Sequence, residues 1–204
     1  MLRIYFTILI IYIIPTMNRK LIITISSIVL LMVVGASVLT AELKNVVSVE
    51  AGYAYALSAR DINPGSSHGL VSSLNYGYVI HEKPKSMTAL AVVLGYDLFP
   101  QGNGSDALHA MVYGVEYAHT FFRRKTVSLL LDYGLLFNLI QQSDREGYAF
   151  GHHTRLSIGG VYNLSEKHKL ALKGSYNFVT FPYFELSEAR ITFPSVALRY
   201  YLYF

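Results

Sequence analysis

The feature that most constrains this chain is an alternation of large apolar residues with small or polar ones, repeated eight times between Asn45 and Phe204. A period of two is typical of a β-strand whose two faces differ. The pattern predicts strands at residues 45–58, 70–80, 87–98, 108–119, 127–140, 151–162, 170–179 and 190–204. Each predicted strand is long enough to cross a bilayer when tilted. The sequence therefore predicts an all-β fold.

The two faces of these strands differ in size as well as in polarity. One face carries large Tyr, Leu, Phe and Val side chains, and the other carries a glycine in each of the first six strands. These glycines are Gly52, Gly77, Gly95, Gly114, Gly134 and Gly159. In water, the apolar face would fill a lipocalin-like barrel or a sandwich. Eight strands enclose a narrow interior, so the small face fits inside and the large face fits outside, against lipid. We predict an eight-stranded antiparallel up-and-down transmembrane β-barrel.

The connections between the predicted strands alternate in character. Three are compact and charged, at 81–86, 121–125 and 163–168, and the four others are generally longer, at 60–69, 99–107, 141–149 and 181–189. Outer-membrane barrels have short periplasmic turns and longer outer loops. The sequence therefore predicts a multi-pass protein of the cell outer membrane with both termini in the periplasm.

The first 41 residues are predicted to be separate from the barrel. A basic pair, Arg19 and Lys20, precedes an apolar run and small residues, which is the layout of a signal peptide at 17–41 with cleavage after Ala41 or, as the alternative, after Ala36. Residues 1–16 are predicted to be a mis-annotated extension before the true start at Met17. An uncleaved membrane helix is the alternative. The domains are then 1–16, 17–41 and a barrel at 42–204.

Charge and composition exclude several classes of protein. Residues 1–41 hold three of the seventeen Lys and Arg and no acid, so fourteen bases and thirteen acids remain in the barrel. That balance leaves no basic stripe for nucleic acid. The chain has no cysteine, which excludes disulfides and thiolate metal sites. No cofactor or metal site is predicted.

Seven charged residues fall on the predicted inner face. The acids lie on strands one, three, four and five, and the bases lie on strands six, seven and eight. The residues are Glu50, Asp97, Glu116, Asp132, Arg155, Lys173 and Arg199. Strands one and eight meet when a barrel closes, so Glu50 is predicted to approach Arg199. Buried charges need partners. The network is therefore predicted to be a salt-bridged plug or, alternatively, a gate that selects solutes.

A proline interrupts the last predicted strand. Pro194 has no N–H to donate to the neighbouring strand, so one hydrogen bond of the sheet is missing there. This predicts a lateral seam in the wall beside Pro194, lined by Phe193, Phe181, Tyr183 and Phe184, unless Pro194 lies above the hydrocarbon in contact with solvent. The alternative for the three loop aromatics is the outer aromatic girdle.

An enzymatic function is not favoured. His152 and His153 lie near a serine, as in some outer-membrane lipid hydrolases, but no acid is placed to orient either histidine. Adjacent residues of a strand point to opposite faces, so the pair cannot share a metal ion. Both histidines are predicted to be solvated polar residues, and no catalytic residue is assigned.

The signal layout, eight predicted strands and terminal Phe204 together resemble the small bacterial outer-membrane barrels of the OmpW type, with the OmpX and OmpA-transmembrane types as alternatives. The resemblance implies that the aromatic end, at Tyr200, Leu202 and Phe204, is the signal read by the barrel-assembly machinery. An OmpW-like identity implies passage of small hydrophobic solutes across the outer membrane. The alternatives are a surface-exposed adhesin that binds host ligands through its loops, and a mainly structural barrel. Outer-membrane lipid is an expected partner in each case.

Overall fold

A computed structural model describes residues 44–60, 62, 64, 66–102, 107–122, 126–142, 148–181 and 189–204, with only the backbone at 141, 142, 148 and 149. The predicted extension at 1–16 and signal peptide at 17–41 lie outside the described residues. So do Tyr183 and Phe184 of the predicted seam.

Nine β-strands make up the regular structure of the described residues, which include no helix. Among the same residues, no helix is long and apolar enough to cross a membrane. The strands are β1 (Asn45–Tyr55), β2 (Ser58–Arg60), β3 (His68–Lys83), β4 (Ser86–Phe99), β5 (Leu108–Phe121), β6 (Val127–Gln142), β7 (Tyr148–Asn163), β8 (His168–Thr180) and β9 (Arg190–Tyr203).

These strands form one closed sheet in which every neighbouring pair is antiparallel. Each strand from β3 onward pairs with the next one along the chain, and β1 pairs with both β3 and β9. The two ends of the chain meet at the closure, where Asn45 N donates to Phe204 O at 2.8 Å and Phe204 N donates to Asn45 O at 3.0 Å. The barrel wall has eight strand positions, which we call staves, and β1 and β2 together form one of them. The predicted all-β, eight-stranded antiparallel barrel is therefore confirmed.

The first stave is broken where β1 ends and β2 begins. Ala54 pairs with Ser195 and Ser58 pairs with Thr192, so three residues of the first stave face two of β9. This is a bulge with one extra residue. It divides the strand that the alternation predicted as continuous over 45–58. The predicted bounds of the other seven strands differ from those in the structure by no more than a few residues.

The stagger of the barrel follows from the register of its strands. We follow the paired residues from Val49 through each neighbouring strand in turn, once around the wall. The path reaches Arg190 on β9 and returns to the first stave at Arg60, eleven positions beyond Val49. One of those positions is the extra residue of the bulge, which leaves a shear of ten. With eight strands, that shear corresponds to a strand tilt of about 40°.

Burial alternates along every long strand. The outward positions expose large apolar side chains such as Leu94, Met111 and Leu172, while the inward positions are buried. A wall of this kind would be unstable in water, because many outward Leu and Tyr side chains leave about half of their surface uncovered. The outer face therefore suits lipid, as the size difference between the two faces predicted.

Inward glycines let neighbouring strands approach closely in this narrow barrel. A Cβ atom added to Gly77 would lie 2.1 Å from the Leu90 carbonyl oxygen, and one added to Gly159 would lie 2.4 Å from that of Leu172. Both distances are far inside van der Waals contact. The wall curves too sharply at these points for a side chain on the inner face.

Candidate functional site: the charged belt inside the barrel

The interior of the barrel holds a belt of charged side chains at mid-height. Each of its members is an inward residue of a different strand, and all are buried. The belt comprises Glu50 on β1, Asp97 on β4, Glu116 on β5, Asp132 on β6, Arg155 on β7, Lys173 on β8 and Arg199 on β9. The alternation places them on one face locally, and closure of the sheet brings them together.

Arg199 is the centre of this belt. Its Nε donates to Glu50 Oε2 at 2.6 Å, its Nη2 donates to Glu116 Oε2 at 2.8 Å, and its Nη1 lies 3.5 Å from Asp132 Oδ2. Its Nη1 also donates to Glu116 Oε1, so the guanidinium binds that carboxylate through two nitrogens. The strands β5 and β9 stand on opposite sides of the eight-stave wall. The pair of Arg199 with Glu116 therefore crosses the lumen.

Lys173 and Arg155 complete the ion pairs. Lys173 Nζ lies 2.8 Å from Glu50 Oε2 and 3.0 Å from Asp132 Oδ2. Arg155 Nη2 lies 2.9 Å from Glu116 Oε2, and its Nη1 lies 3.7 Å from Glu50 Oε1. Each of these three acids is thus within reach of at least two bases. Pairing of this density compensates for the removal of the charges from water.

Asp97 is the exception among the seven residues. In the part of the chain that the structure describes, it forms no ion pair, and its Oδ2 has no hydrogen-bond partner, although only 5% of the residue is exposed. Two nearby inward oxygens on β3, Ser73 Oγ and Asn75 Oδ1, also have no hydrogen-bond partner among the residues that the structure describes. Among the described residues, the β3–β4 side of the interior therefore has three unpartnered oxygens and no ion pair at Asp97, whereas the opposite side is rich in ion pairs, although Asp132 Oδ1 and Arg155 Nε have no hydrogen-bond partner there.

A second polar group lies beside the belt, and it corrects the expectation for one histidine. His153 is 2% exposed rather than solvated, and its two ring nitrogens lie 2.9 Å from Asn138 Oδ1 and from Asn177 Oδ1. The amide nitrogen of Asn177 donates to Ser195 Oγ at 3.1 Å. The sequence placed Asn138, Asn177 and Ser195 on the small face, but it contained no signal that linked them to His153.

Apolar clusters lie inside the barrel on both sides of the belt. One, toward the longer loops, includes Phe99, Phe181 and Phe193, with the Phe99 and Phe193 rings 5.3 Å apart. The other, toward the chain termini, includes Met87, Tyr201 and Tyr203. A cavity of about 20 Å³ lies between this second cluster and the belt, which is room for about one water molecule.

The residues of the predicted seam are on different faces of the wall. Phe193 and Phe181 point into the barrel and are buried, whereas Pro194 lies on the outer face and is half-buried. Alternate residues of a strand direct their backbone groups to the same neighbour. Because Thr192 O accepts from Leu57 N at 3.0 Å, Pro194 faces the same way, toward the break in the first stave. The missing N–H therefore lies at the closure of the barrel.

The last residues of the chain lie at the closure as well. Tyr200 and Phe204 are exposed on the outer face and Leu202 is half-buried there. His168 Nδ1 forms a hydrogen bond with the Tyr200 hydroxyl. The aromatic end is thus part of the outer wall at the rim that holds the termini.

Comparisons with known proteins match the fold but no family. No protein-family description matches this chain, and no curated protein matches it either. The solved structure of Neisserial surface protein A aligns with a TM-score of 0.61 at 14% identity, over 78% of this chain and 97% of that one. Ail, the attachment invasion locus protein of Yersinia pestis, aligns with a TM-score of 0.47 at 12% identity, over 79% of this chain and 99% of that one.

The outer membrane enzyme PagL aligns with a TM-score of 0.48 at 11% identity, over 77% of this chain and 98% of that one. At such low identities the likeness to Neisserial surface protein A is one of fold, and nothing in it selects the OmpW type over the others. The closed antiparallel barrel, its apolar outer wall and that likeness agree: this chain has the fold of the small outer-membrane β-barrels.

Proposed function

We propose that this protein is a barrel embedded in the bacterial outer membrane. Its lumen is closed, and it acts through the loops at its outer rim. The observation that carries the proposal is the pair of Arg199 with Glu116, which spans the lumen between opposite staves. Apolar clusters lie on both sides of that pair. The interior therefore resembles a protein core more than a pore, which favours a surface or structural role over an aqueous channel.

In this proposal the longer loops face the outside and both termini face the periplasm, in accordance with the usual asymmetry of these barrels. The partners are then the outer-membrane lipid around the wall, the barrel-assembly machinery during insertion, and a host or surface ligand at the loops. The charged belt holds the barrel in shape and contributes no catalytic group. The protein is not proposed to be an enzyme.

Conductance in a planar lipid bilayer tests the closed lumen. We expect the refolded wild-type barrel to insert without discrete current steps, because the belt and both apolar clusters block the axis. An open porin inserted under the same conditions is the positive control. Regular current steps from the wild-type barrel would contradict the closed lumen.

A binding experiment tests the activity at the outer rim. Refolded barrel is applied to immobilised matrix and cell-surface proteins, alongside a variant in which the four longer loops are replaced by short turns. We expect binding by the wild type and none by the shortened variant. Equal binding by both would place the activity elsewhere on the barrel, and binding by neither would favour a purely structural role.

A lateral conduit for small hydrophobic solutes is the second candidate, and the break opposite Pro194 favours it. The wall lacks one N–H donor at the point where β1 and β2 are interrupted, next to the barrel closure. An opening here would lead sideways into the membrane rather than along the axis. In this form the conduit is compatible with a closed lumen.

The substitution Pro194→Val tests this route. Valine supplies the missing N–H and strengthens the closure, so uptake of a hydrophobic solute into proteoliposomes is expected to slow. A correctly folded variant with unchanged uptake would reject the lateral route. Val196→Thr, at an outward position two residues further along β9, is a control that leaves the backbone hydrogen bonds intact.

A further inference from the structure

One row of inward polar side chains crosses the closure of the barrel. Ser48 on β1 pairs with Asn75 on β3 at one side and with Tyr201 on β9 at the other. All three side chains are buried. The amide nitrogen Nδ2 of Asn75 donates to Ser48 Oγ at 3.0 Å, so a hydrogen bond already joins β3 to β1 within this row.

Two polar groups of the row have no hydrogen-bond partner among the described residues. They are Asn75 Oδ1 and the Tyr201 hydroxyl, in residues that are only 2% and 6% exposed. Burial of an unsatisfied polar group is costly, so a native structure normally supplies a partner from protein or from ordered water. The Asn75 amide needs that partner in either of its two orientations, because Ser48 engages only one of its two polar atoms.

The same two residues line one small cavity. This is the cavity of about 20 Å³ that lies between the belt and the apolar cluster near the chain termini, and its polar lining also includes Ser48, Glu116 and Arg199. A cavity holds a water molecule when it offers at least roughly 10–15 Å³ and two to four polar partners. This cavity meets both conditions.

The Tyr201 ring is packed on its neighbours inside the barrel. Its centre lies 5.8 Å from Arg199 Cζ and 6.1 Å from the centre of the Tyr203 ring, which is nearly parallel to it. Strand parity directs the side chain inward, and these contacts hold it against the belt. The hydroxyl therefore depends on a partner within the interior.

The charges around the cavity select the chemistry of its ligand. The Arg199 guanidinium lies in the lining and repels a cation, while the Glu116 carboxylate and the Asn75 carbonyl oxygen repel an anion. The volume excludes any organic molecule. Water can donate to the Asn75 oxygen and accept from the Tyr201 hydroxyl at the same time.

We propose that this cavity is a binding site for a single structural water, which bridges Asn75 Oδ1 and the Tyr201 hydroxyl. The water completes a row of hydrogen-bonding groups from β3 through β1 to β9, across the junction of the first and last strands. A bridge of this kind is nearly as favourable as a direct hydrogen bond. The inference is independent of the proposed activity at the outer rim.

A crystal structure of the refolded wild-type barrel, at a resolution that shows ordered water, tests the site directly. The crystals are grown with Rb⁺ as the monovalent cation, because its anomalous scattering distinguishes it from water. We expect one density peak within about 3.2 Å of both Asn75 Oδ1 and the Tyr201 oxygen, with no anomalous signal. An anomalous peak would identify a cation site instead, and a cavity without density would also reject the proposal.

A substitution that fills the cavity tests the same site through stability. Ala118 lies in the lining, and Ala118→Val adds two methyl groups there. If the cavity holds the bridging water, its displacement leaves two polar groups unsatisfied, so the urea midpoint of unfolding is expected to fall by about 0.5 M. If the cavity is instead a dry apolar void, filling it is expected to raise the midpoint.

A second background separates loss of the water from steric strain. In the double variant Asn75→Leu with Tyr201→Phe, neither polar group remains, so adding Ala118→Val is expected to leave the midpoint unchanged or to raise it. Strain from the larger side chain would lower the midpoint in both backgrounds. An equal fall in the two backgrounds would therefore contradict the water site.

Heat-modified gel mobility confirms that each variant is folded before its midpoint is compared. Tyr133→Phe, at an exposed outward position on β6, is the control for loss of a phenol hydroxyl and is expected to leave the midpoint unchanged. The crystallographic measurement needs no substitution, so it decides the proposal even where a variant does not fold. Neither measurement depends on ligand binding or conductance, so the water site and the proposed function fail separately.

Discussion

The two sides of the barrel interior treat buried polar groups in different ways. In the network around Arg199, which crosses the lumen, each of three acids and three bases lies within 4 Å of at least two residues of opposite charge. On the β3–β4 side, Asp97, Ser73 and Asn75 each have an oxygen without a hydrogen-bond partner among the described residues. The first region stabilises the barrel through direct contacts, and the second depends on water for any compensation.

This difference indicates that position in the belt matters more than charge itself. Glu116 and Asp97 are both buried carboxylates on neighbouring strands, yet Glu116 contacts Arg155 and Arg199 while Asp97 has no base within ion-pair distance among the described residues. If one partner in the Arg199 network is removed, a buried charge is left without an ion pair, which lowers the free energy of unfolding. Removal of Asp97 leaves no base without an ion pair among the described residues.

The largest expected effect is that of Arg199→Ala. The change leaves Glu50 and Glu116 without their main partner, so the free energy of unfolding is expected to fall by about 3–5 kcal/mol. The denaturant midpoint of the refolded barrel and its heat-modified gel mobility measure the loss. Lys167→Ala, at an exposed base in the turn before β8, is the control and should change stability by less than about 0.5 kcal/mol. An unchanged midpoint for Arg199→Ala would contradict the network.

A direct comparison of two aspartates sharpens the contrast. Asp132→Asn weakens the ion pairs with Lys173 at 3.0 Å and with Arg199 at 3.5 Å, and is expected to cost about 3 kcal/mol. Asp97→Asn removes a buried charge that has no ion pair in the described structure, and should cost less than about 1 kcal/mol or increase stability. Urea unfolding of both variants in the same detergent decides the matter. Equal losses of stability in the two variants would contradict the difference between the two sides of the interior.

Two serines give the smallest and most specific test. Ser175 Oγ donates to Ser157 Oγ at 2.9 Å on the side that holds the ion pairs, so Ser175→Ala is expected to cost about 1 kcal/mol. Ser73 Oγ has no partner among the described residues, and Ser73→Ala should leave the unfolding midpoint unchanged or slightly raised. If Ser73→Ala proves the more damaging of the two, an ordered water must already satisfy the β3–β4 side.

Much of the fold followed from local pattern alone. Alternation predicted eight staves and assigned each residue to one of two faces, because side-chain direction in a strand depends only on parity. It also placed all seven belt residues on the inner face, and closure of an even number of strands predicted the approach of Glu50 to Arg199. The break at 56–57 was not predicted, because the bulge depends on the register of β9 against the first stave.

The contacts across the lumen depended on distance in three dimensions. Parity placed His153 inward but could not show that Asn138 and Asn177 would meet its two nitrogens, so a solvated side chain was the expectation. The sequence also gave no reason to separate Asp97 from the other three acids. Both outcomes depend on the height at which each strand presents its residues, and a shear of ten sets that height.

The sequence by itself determined the strand number, the two faces of the wall and the residues that must share the interior, since these depend on periodicity and size. Only the tertiary structure decided that Arg199 would reach Glu116 on the opposite stave, that Asp97 would be left without an ion pair, and that the missing N–H of Pro194 would face the barrel closure. Stagger and diameter are collective properties of the closed sheet. They bring residues that are far apart along the chain into contact, and no local sequence pattern predicts those contacts.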